Sequence, residues 1–462
     1  MRRRLLFVLA LLLASAGPAA AKAIPQEVAF VASDGTPLAC TYWVPESLGT
    51  SRAPAVMLFH GLGGARANMS SYADQLGNAG YASLACDARG HGVSGGLFGL
   101  DGPRDVQDTR ELFDWLAARP EVDGARIGAL GVSLGGGAVW NAAAAGVPFK
   151  AIVPVITWTN LVEALAPQRL AKSGLVLYLS QLVPASRYDP ALLSIVPALL
   201  TGQNFEAAAA VAASRSTASA LPRMTVPTLL IQGRHDFLFD IDQALAAYRQ
   251  LAGPKRLYLG DLGHAPAPNP AAEQPYLLGQ VKLWFDRFLK GESNGVDAQP
   301  RLLLAADPWT GSVASYASTP PTTKLTIRLP GRTRISQGGK VVRSVRMTTK
   351  RETFGAGVVS FAASGSSTWD HVVAVLSFGS TVVSEGGTTT RLTATPRTVR
   401  VRLLNEAVRI PKGARLTLTL AAVSTAQNPA NLLYARDVAP GATLTVGRVA
   451  LSLSVLKRPV SP

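Results

Sequence analysis

The chain has 462 residues, of which 48% are apolar and 16% charged, so it is long enough for two or three packed domains. This composition excludes an intrinsically disordered protein. The net charge of +16 is unevenly distributed, because residues 301–462 carry 21 basic and 6 acidic side chains, which is +15 of the total. We therefore expect catalysis and surface charge to lie in different domains.

The N-terminus has the charged, apolar and cleavable parts of a secretory signal peptide. Three arginines after Met1 precede the apolar run Leu5–Ala14, and the small-residue stretch SAGPAAAKA follows. We predict a signal peptide over residues 1–23, with the mature chain beginning near Lys22 or Ile24. The protein is then secreted or periplasmic. No later apolar run reaches the roughly 18 to 20 residues that a membrane-spanning helix needs.

The chain has two cysteines, Cys40 and Cys86. In an oxidising compartment two thiols can form one disulfide. They can equally be two small buried apolar side chains. The sequence leaves both possibilities open.

Short apolar strands alternate with helical patterns through the first 290 residues, which is typical of a mostly parallel sheet. We predict an α/β domain over residues 24–157 and 222–295. Residues 158–221 are longer than a single crossover and are rich in Leu and Ala, so we predict a helical cap inserted there. Its helical pieces are expected to break at Pro184, Pro190 and Pro197. The candidate strands cover residues 55–61, 81–87, 126–133, 150–157, 227–233 and 256–261.

After residue 295 the sequence alternates Thr, Val, Ser and Arg with Gly and Pro between the runs. This pattern predicts an all-β domain, a sandwich or jelly roll, over residues 296–462. Its basic cluster is most simply a passive basic surface, and the alternative is peripheral contact with anionic envelope polymers or lipid. Nucleic acid is disfavoured because the cluster lacks interleaved aromatic residues. The cluster comprises Arg332, Arg334, Lys340, Arg343, Arg346, Lys350 and Arg351.

The pentapeptide pattern G-x-S-x-G occurs twice, centred on Ser94 and Ser133. Ser133 ends an apolar strand and precedes a helix-like stretch, which is the context of a nucleophile on a tight strand-to-helix turn. Ser94 lies in a Gly-rich loop with neither feature. We therefore predict Ser133 as the nucleophile and Ser94 as a loop residue.

A serine nucleophile needs a base and a carboxylate that orients the base. In the chain order Ser, acid, His, the base follows the last strands of the sheet, and His264 meets this condition. Asp236 is the best-placed acid because it lies three residues after Gly233 at the end of a strand. Asp240 is the reserve candidate and is otherwise a helix cap or surface charge.

Acyl transfer also needs hydrogen-bond donors for the developing oxyanion. The backbone N–H of Leu134, directly after the nucleophile, is one expected donor. Leu62, in the turn HGLGG, is our first choice for the second donor, and Gly61 is the alternative. His60 is then a turn-stabilising residue. No metal or cofactor is predicted, because the sequence has no Cys/His cluster.

These residues resemble an α/β-hydrolase over roughly residues 25–290, and more narrowly the cocaine esterase/X-prolyl dipeptidyl peptidase-like hydrolases. The resemblance implies a capped α/β-hydrolase domain followed by a C-terminal jelly roll, with Ser133, Asp236 and His264 as the triad. The broad resemblance rests on HGLGG, CDARGHGVSGG, GVSLGG, GRHD and LGH in that order. The narrower one rests on the helix and strand before the nucleophile, the cap, the junction WFDRFLKGESNGVDAQPRLLLAADPW, and VRIPKGARLTLTL in the β domain.

The chain departs from that group in two respects. Leu134 stands where members carry a tyrosine, and HGLGG replaces the segment that supplies an oxyanion tyrosine. The cap acids Glu163, Asp189 and Glu206 are scattered and form no clear anchor for a substrate's free N-terminus.

The sequence therefore predicts an exported serine hydrolase that cleaves small carboxylic esters, or amides, through an acyl-enzyme. The alternative is an X-prolyl dipeptidyl peptidase-like or acyl-peptide exopeptidase acting on peptides. An alternative of another class is an envelope-binding protein that uses its basic β domain.

Overall fold

The computed structural model describes residues 23–46, 51–426 and 432–460. The predicted signal peptide lies outside these described residues except for Ala23, which begins the first strand. Among the helices of the described residues, none combines the length and hydropathy needed to cross a membrane.

The first ten strands form a single sheet. Its spatial order is β1-β2-β4-β3-β5-β6-β7-β8-β9-β10; neighbours from β4 to β9 are parallel, while β1, β2 and β10 join antiparallel at the edges. The mostly parallel sheet that the alternating pattern predicts is therefore present. In chain order the strands are β1 (Ala23–Val31), β2 (Pro37–Pro45), β3 (Ala53–Phe59), β4 (Ala82–Cys86), β5 (Val122–Val132), β6 (Ala151–Val155), β7 (Thr228–Gly233), β8 (Lys255–Gly260), β9 (Leu302–Ala305) and β10 (Val313–Tyr316).

Helices connect the parallel strands and cover the sheet. Strand β7 is buried at every position, as expected for a central strand with helices on both faces. The helices are α1 (Ser70–Asn78), α2 (Pro103–Ala117), α3 (Leu134–Ala144), α4 (Leu161–Leu165), α5 (Ser173–Leu179), α6 (Pro190–Thr201), α7 (Phe205–Ala213), α8 (Ile241–Gln250) and α9 (Gln274–Leu289).

The cap consists of α4 to α7, which lie between β6 and β7. Pro190 begins α6. An N–H group at the first position of a helix has no partner within the helix, so a proline there costs no hydrogen bond. Pro197 lies inside α6, so the predicted break at this proline is wrong. An interior proline removes one hydrogen bond and crowds the carbonyl four residues earlier, so Pro197 weakens α6 without ending it.

A disulfide joins Cys40 and Cys86 and resolves the alternatives that the sequence left open. The two residues are directly opposite each other in the antiparallel pair β2 and β4. The bond therefore links the antiparallel edge of the sheet to its parallel centre.

The remaining strands form an all-β sandwich. The first of its two main antiparallel sheets has the order β11-β21-β15-β18, with β12 also paired to β21, and the second has the order β13-β20-β16-β17. Residues from both sheets, such as Phe361, Leu376, Leu418 and Leu451, share one apolar core. The strands are β11 (Thr322–Leu329), β12 (Thr333–Ser336), β13 (Val341–Arg346), β14 (Arg351–Glu352), β15 (Val358–Gly365), β16 (His371–Phe378), β17 (Thr381–Thr389), β18 (Arg397–Arg402), β19 (Arg409–Ile410), β20 (Arg415–Ala421) and β21 (Thr443–Leu456).

The sandwich and the first sheet are joined by direct, buried contacts. The predicted β domain starts at residue 296, yet β9 and β10 follow that residue and complete the first sheet. Arg234, which directly follows β7, forms a fully buried ion pair with Glu352 of the sandwich. Its guanidinium also donates to the carbonyls of Ala305 and Ala407. The first sheet and the sandwich therefore share a buried polar junction.

Candidate active site

Ser133 lies on a tight turn between β5 and α3. Its φ of +56° is in the left-handed region, which is strained for a residue with a side chain. The turn brings backbones together so closely that a Cβ on Gly131 would lie 2.0 Å from the oxygen of Gly135. A Cβ on Gly135 would lie 2.2 Å from the oxygen of Phe59. The glycines on either side of Ser133 are therefore required by packing, as the strand-turn-helix interpretation predicts.

The structure brings Ser133, His264 and Asp236 together. Ser133 Oγ lies 2.8 Å from His264 Nε2. His264 Nδ1 lies 2.9 Å from Asp236 Oδ2 and 3.1 Å from Oδ1. The carboxylate accepts the Nδ1–H, which leaves Nε2 free to accept the serine hydroxyl proton. The serine, the acid and the histidine follow β5, β7 and β8, so all three lie at the carboxyl edge of the sheet.

Backbone donors hold the Asp236 side chain in place. Asp236 Oδ1 accepts the N–H groups of Leu238 at 3.1 Å and Phe239 at 3.0 Å. Its Oδ2 accepts the N–H of His264 at 3.2 Å. The side chain is fully buried, and these donors fix its orientation towards His264. The Phe239 ring meets the His264 ring edge-on at 5.3 Å and restricts the imidazole.

Lys172 of the cap supports the same loop, and the sequence reasoning did not identify it. Its ammonium is fully buried and donates to the carbonyls of Phe237 at 2.8 Å and Leu238 at 3.0 Å. Burial lowers the pKa of Lys172, and nearby carboxylates oppose this effect. These carboxylates belong to Asp240, Glu406, Asp236 and Glu385. A lone lysine within an apolar cap was the only signal in the sequence.

The predicted oxyanion donors lie beside the serine. Leu134 is the first residue of α3, so its N–H has no partner within the helix. A Cβ on Gly61 would lie 3.6 Å from Ser133 Cβ, which places the turn containing Leu62 next to the nucleophile.

His60 has the structural role that the sequence indicates. Its Nδ1–H donates to the carbonyl of Gly61 at 2.8 Å, and its Nε2 accepts the N–H of Ala88 at 2.9 Å. Burial lowers the pKa of His60, so the imidazole is neutral while it makes these two hydrogen bonds. It therefore fixes the turn that contains Leu62.

Ser94 and Asp240 lie outside the hydrogen-bond chain. Ser94 Oγ donates to the carbonyl of Asp87 at 2.7 Å and accepts the N–H of Ala39 at 2.9 Å. Asp240 precedes α8 and accepts the N–H of Asn405 at 2.9 Å. Burial raises the pKa of Asp240 to about 6. Both side chains thus stabilise the fold, as the sequence analysis expects for Ser94.

His235 lies beside Asp261 and Asp307. Its Nε2 lies 3.4 Å from Asp261 Oδ1 and 3.6 Å from Asp307 Oδ2. Burial lowers the pKa of His235, but the two carboxylates outweigh it and raise the pKa above its ordinary value. The two carboxylates therefore favour the charged form of the His235 imidazole.

An apolar cavity of about 120 Å³ lies under the cap. Helices α4 to α7 supply most of its wall, and Leu62, Phe98 and Leu100 of the α/β domain complete it. The site therefore contains a Ser-His-Asp hydrogen-bond chain, and Leu62, in the turn beside Ser133, also lines the apolar cavity.

Comparison with known proteins supports the same fold. A family model described as X-Pro dipeptidyl-peptidase (S15 family) matches residues 34–266. A CocE/NonD family hydrolase from Staphylococcus aureus superposes with a TM-score of 0.70 at 13% identity, over 94% of each chain. An alpha-amino acid ester hydrolase superposes with a TM-score of 0.67 at 14% identity, over 96% of this chain and 98% of that one. At such identities the likeness concerns the fold, and it confirms the predicted fold class.

Two curated relatives match a shorter stretch. An uncharacterized 31.7 kDa protein of Escherichia coli is 34% identical over 125 residues, which is 27% of this chain and 43% of the relative. An uncharacterized protein of Pseudomonas aeruginosa is 31% identical over 144 residues, which is 29% of this chain and 38% of the relative. The matches span less than half the length of either relative.

Proposed function

Because this chain belongs to the S15 family of X-Pro dipeptidyl-peptidases, we propose that it is a serine hydrolase whose nucleophile is Ser133. The observation that carries the proposal is the hydrogen-bond chain from Ser133 Oγ through His264 to Asp236. The preferred substrates are small carboxylic esters.

The geometry supports an acyl-enzyme mechanism. Ser133 Oγ attacks the substrate carbonyl carbon while His264 Nε2 takes the hydroxyl proton. Asp236 orients the imidazole and stabilises its charged form. The N–H groups of Leu134 and Leu62 bind the oxyanion of the tetrahedral intermediate. His264 then protonates the leaving alcohol, and a water molecule activated by His264 releases the acid from Ser133.

Peptide cleavage is the second candidate, and the description of the matched family favours it. The same catalytic groups can cleave an amide, so the distinction depends on substrate binding. Comparison of p-nitrophenyl esters with aminoacyl-prolyl anilides separates the two candidates. Higher kcat/KM for the prolyl anilides would overturn the ester preference.

Fluorophosphonate labelling tests the nucleophile directly. We expect the reagent to modify Ser133 in the purified protein, and peptide mass mapping identifies the site. Ser133→Ala should abolish labelling, whereas the matched variant Ser94→Ala should retain it. Labelling that persists in Ser133→Ala would refute the assignment.

Export is part of the proposal. The signal peptide predicted over residues 1–23 supports a secreted or periplasmic protein. Cell fractionation of the full-length chain, with N-terminal sequencing of the exported product, tests it. A product found inside the cell with Met1 or Arg2 at its N-terminus would contradict export.

The basic sandwich surface supports a separate role in holding the protein on anionic polymers or lipid. Arg346 and Arg415 lie directly opposite each other on β13 and β20, which places like charges side by side. Within the described part of the chain, the seven residues of the basic cluster form no ion pairs with acidic side chains. Such a surface attracts polyanions most strongly at low ionic strength.

Vesicle flotation with the full chain tests this role. Binding to vesicles with phosphatidylglycerol should fall as salt rises and should weaken in Arg346→Glu. A matched charge change on the catalytic domain, Arg223→Glu, should bind like the wild type. Equal binding to neutral vesicles would remove the electrostatic explanation.

A further inference from the structure

The cavity under the cap is apolar almost throughout. Of the described residues that line it, Ser180 and Tyr188 alone carry side-chain oxygens, and none is charged. The Tyr188 hydroxyl donates to the carbonyl of Leu179 at 3.2 Å, so its polar atom already has a partner. The cavity therefore suits a hydrocarbon group rather than a polar one.

The cavity lies next to the reacting centre. Leu62, a proposed oxyanion donor, lines it directly. Leu134 and Phe239, which flank Ser133 and His264, belong to the same apolar cluster as the cap residues Leu161 and Leu192. Packed apolar side chains therefore connect the Ser133 turn to the cap helices, and Leu62, in the turn beside Ser133, is where the cavity comes nearest to the nucleophile.

The cap acids are positioned away from this cavity. The Asp189 side chain accepts the N–H of Ala191 at 2.8 Å and caps α6. Glu206 pairs with Arg169 at 2.5 Å, and Glu163 is exposed. A substrate ammonium group placed in the cavity would therefore lose its water without gaining a counter-charge, which is strongly unfavourable.

The volume indicates the size of the hydrocarbon group that the cavity can surround. About 120 Å³ is close to the roughly 150 Å³ of an engineered apolar protein cavity that binds benzene. The match corresponds to a group of about six carbon atoms.

We propose that this cavity binds the acyl chain of the ester substrate, and that the preferred acyl group has about six carbons. This inference rests on the proposed hydrolase function and names its substrate class. Each methylene buried in the cavity should raise kcat/KM about fourfold, since burial of a methylene is worth about that factor in binding. The increase should stop when the cavity is full.

A p-nitrophenyl ester series from acetate to dodecanoate measures this dependence. We expect kcat/KM to rise to a maximum near hexanoate, about two orders of magnitude above acetate, following the methylene increment. A profile that is flat or falls from acetate onward would overturn the inference. A parallel series of acetate esters of longer alcohols distinguishes the acyl group from the alcohol group. A similar rise in that series alone would assign the cavity to the alcohol and overturn the acyl assignment.

Ala208 allows the cavity to be filled from within. It lies on α7, is 3% exposed and lines the cavity, so Ala208→Leu should remove space for the chain. We expect the hexanoate-to-acetate ratio of kcat/KM to fall tenfold or more. Ala210→Leu is the matched control, because Ala210 is exposed on the same helix. An equal fall in both variants, or in neither, would contradict the inference.

Leu192→Ala changes the cavity in the opposite direction. Leu192 lines the cavity from α6, and its truncation should move the optimum to longer chains. Fluorophosphonate labelling of each variant distinguishes failure of the acyl-chain site from failure of the hydrolase function. Labelling of Ser133 without any chain-length preference would overturn the acyl-chain site while the hydrolase function stands. Failure to label Ser133 in the wild type would overturn the hydrolase function itself.

Discussion

Ser133 and Ser94 occupy the centre of the same five-residue pattern, but their surroundings differ in almost every respect. Ser133 is held at a φ of +56° between a buried strand and a helix, and its hydroxyl faces His264. Ser94 is 3% exposed in a loop, and its hydroxyl joins the backbones of Ala39 and Asp87. The pattern G-x-S-x-G therefore indicates a nucleophile only where a strand precedes it and a helix follows it.

The largest expected difference is in catalysis. Ser133→Ala should lower kcat by about 10⁶-fold, as loss of the nucleophile does in other serine hydrolases. The melting temperature of this variant should stay close to that of the wild type, because the substitution removes a single side-chain hydrogen bond, the one between Ser133 and His264. Steady-state hydrolysis of a p-nitrophenyl ester measures the effect. Residual activity within tenfold of the wild type would show that another group is the nucleophile.

The acid should rank next. Asp236→Asn should lower kcat by about 10⁴-fold, because the amide no longer holds His264 in the tautomer that accepts the serine proton. Asp242→Asn is the matched control, since Asp242 lies on the same segment but pairs with Arg402 at the surface. Ester hydrolysis by the two variants should differ by several orders of magnitude. Equal losses would assign no special role to Asp236.

Lys172 should have a smaller effect through its support of the Asp236 loop. Lys172→Met removes the ammonium that donates to the carbonyls of Phe237 and Leu238. We expect kcat to fall by up to about 10²-fold, which is the cost of a small displacement of a catalytic group such as Asp236. KM should change less, because Lys172 does not line the cavity. The exposed Lys150→Met serves as the control. A change confined to melting temperature would show that Lys172 is structural only.

Ser94 should affect stability and leave catalysis almost intact. Ser94→Ala leaves the partly buried N–H of Ala39 and the buried carbonyl of Asp87 without this partner, which should lower the free energy of unfolding by about 1–3 kcal/mol. Urea denaturation measures the loss. A change in kcat of more than about twofold would contradict a purely structural role for Ser94.

His91, in the same loop as Ser94, should make stability sensitive to acid. Burial lowers the pKa of His91 to about 4, whereas the unfolded chain binds the proton near the ordinary value of 6.5. The unfolded chain therefore takes up the proton first, and stability falls as the pH drops from about 6.5 to 4. In His91→Asn this slope should decrease by up to about 1.4 kcal/mol per pH unit. Denaturation curves at several pH values test it, and parallel slopes would contradict it.

Much of the fold follows from local patterns. The six predicted strands correspond to β3 through β8, because central parallel strands are apolar along their whole length. The predicted family resemblance is confirmed by the family match over residues 34–266. Strand β1 is exposed along most of its length at the sheet edge, so it lacks such a run. Strands β9 and β10 are only four residues long and follow the break in composition at residue 295.

Some features of the candidate site could likewise be predicted from the sequence, and others could not. Ser133, Asp236 and His264 each follow a recognisable strand, so their meeting at one edge could be predicted from chain order. The contact between Lys172 and the Asp236 loop could not, because it depends on how the cap packs on the domain. The disulfide likewise depends on register, since Cys40 and Cys86 must be direct cross-strand neighbours.

The extension of the first sheet beyond residue 295 governs how the protein can be shortened. A fragment ending at the apparent domain boundary would remove β9 and β10 and leave β8 with a bare edge. Unpaired strand edges recruit strands from other molecules, so such a fragment should aggregate. The fragment would also lack Glu352, so the buried guanidinium of Arg234 would lose its carboxylate partner. The hydrolase sheet and the sandwich therefore constitute one folding unit for protein engineering, and substrate specificity is best altered by replacing cap helices within the full chain.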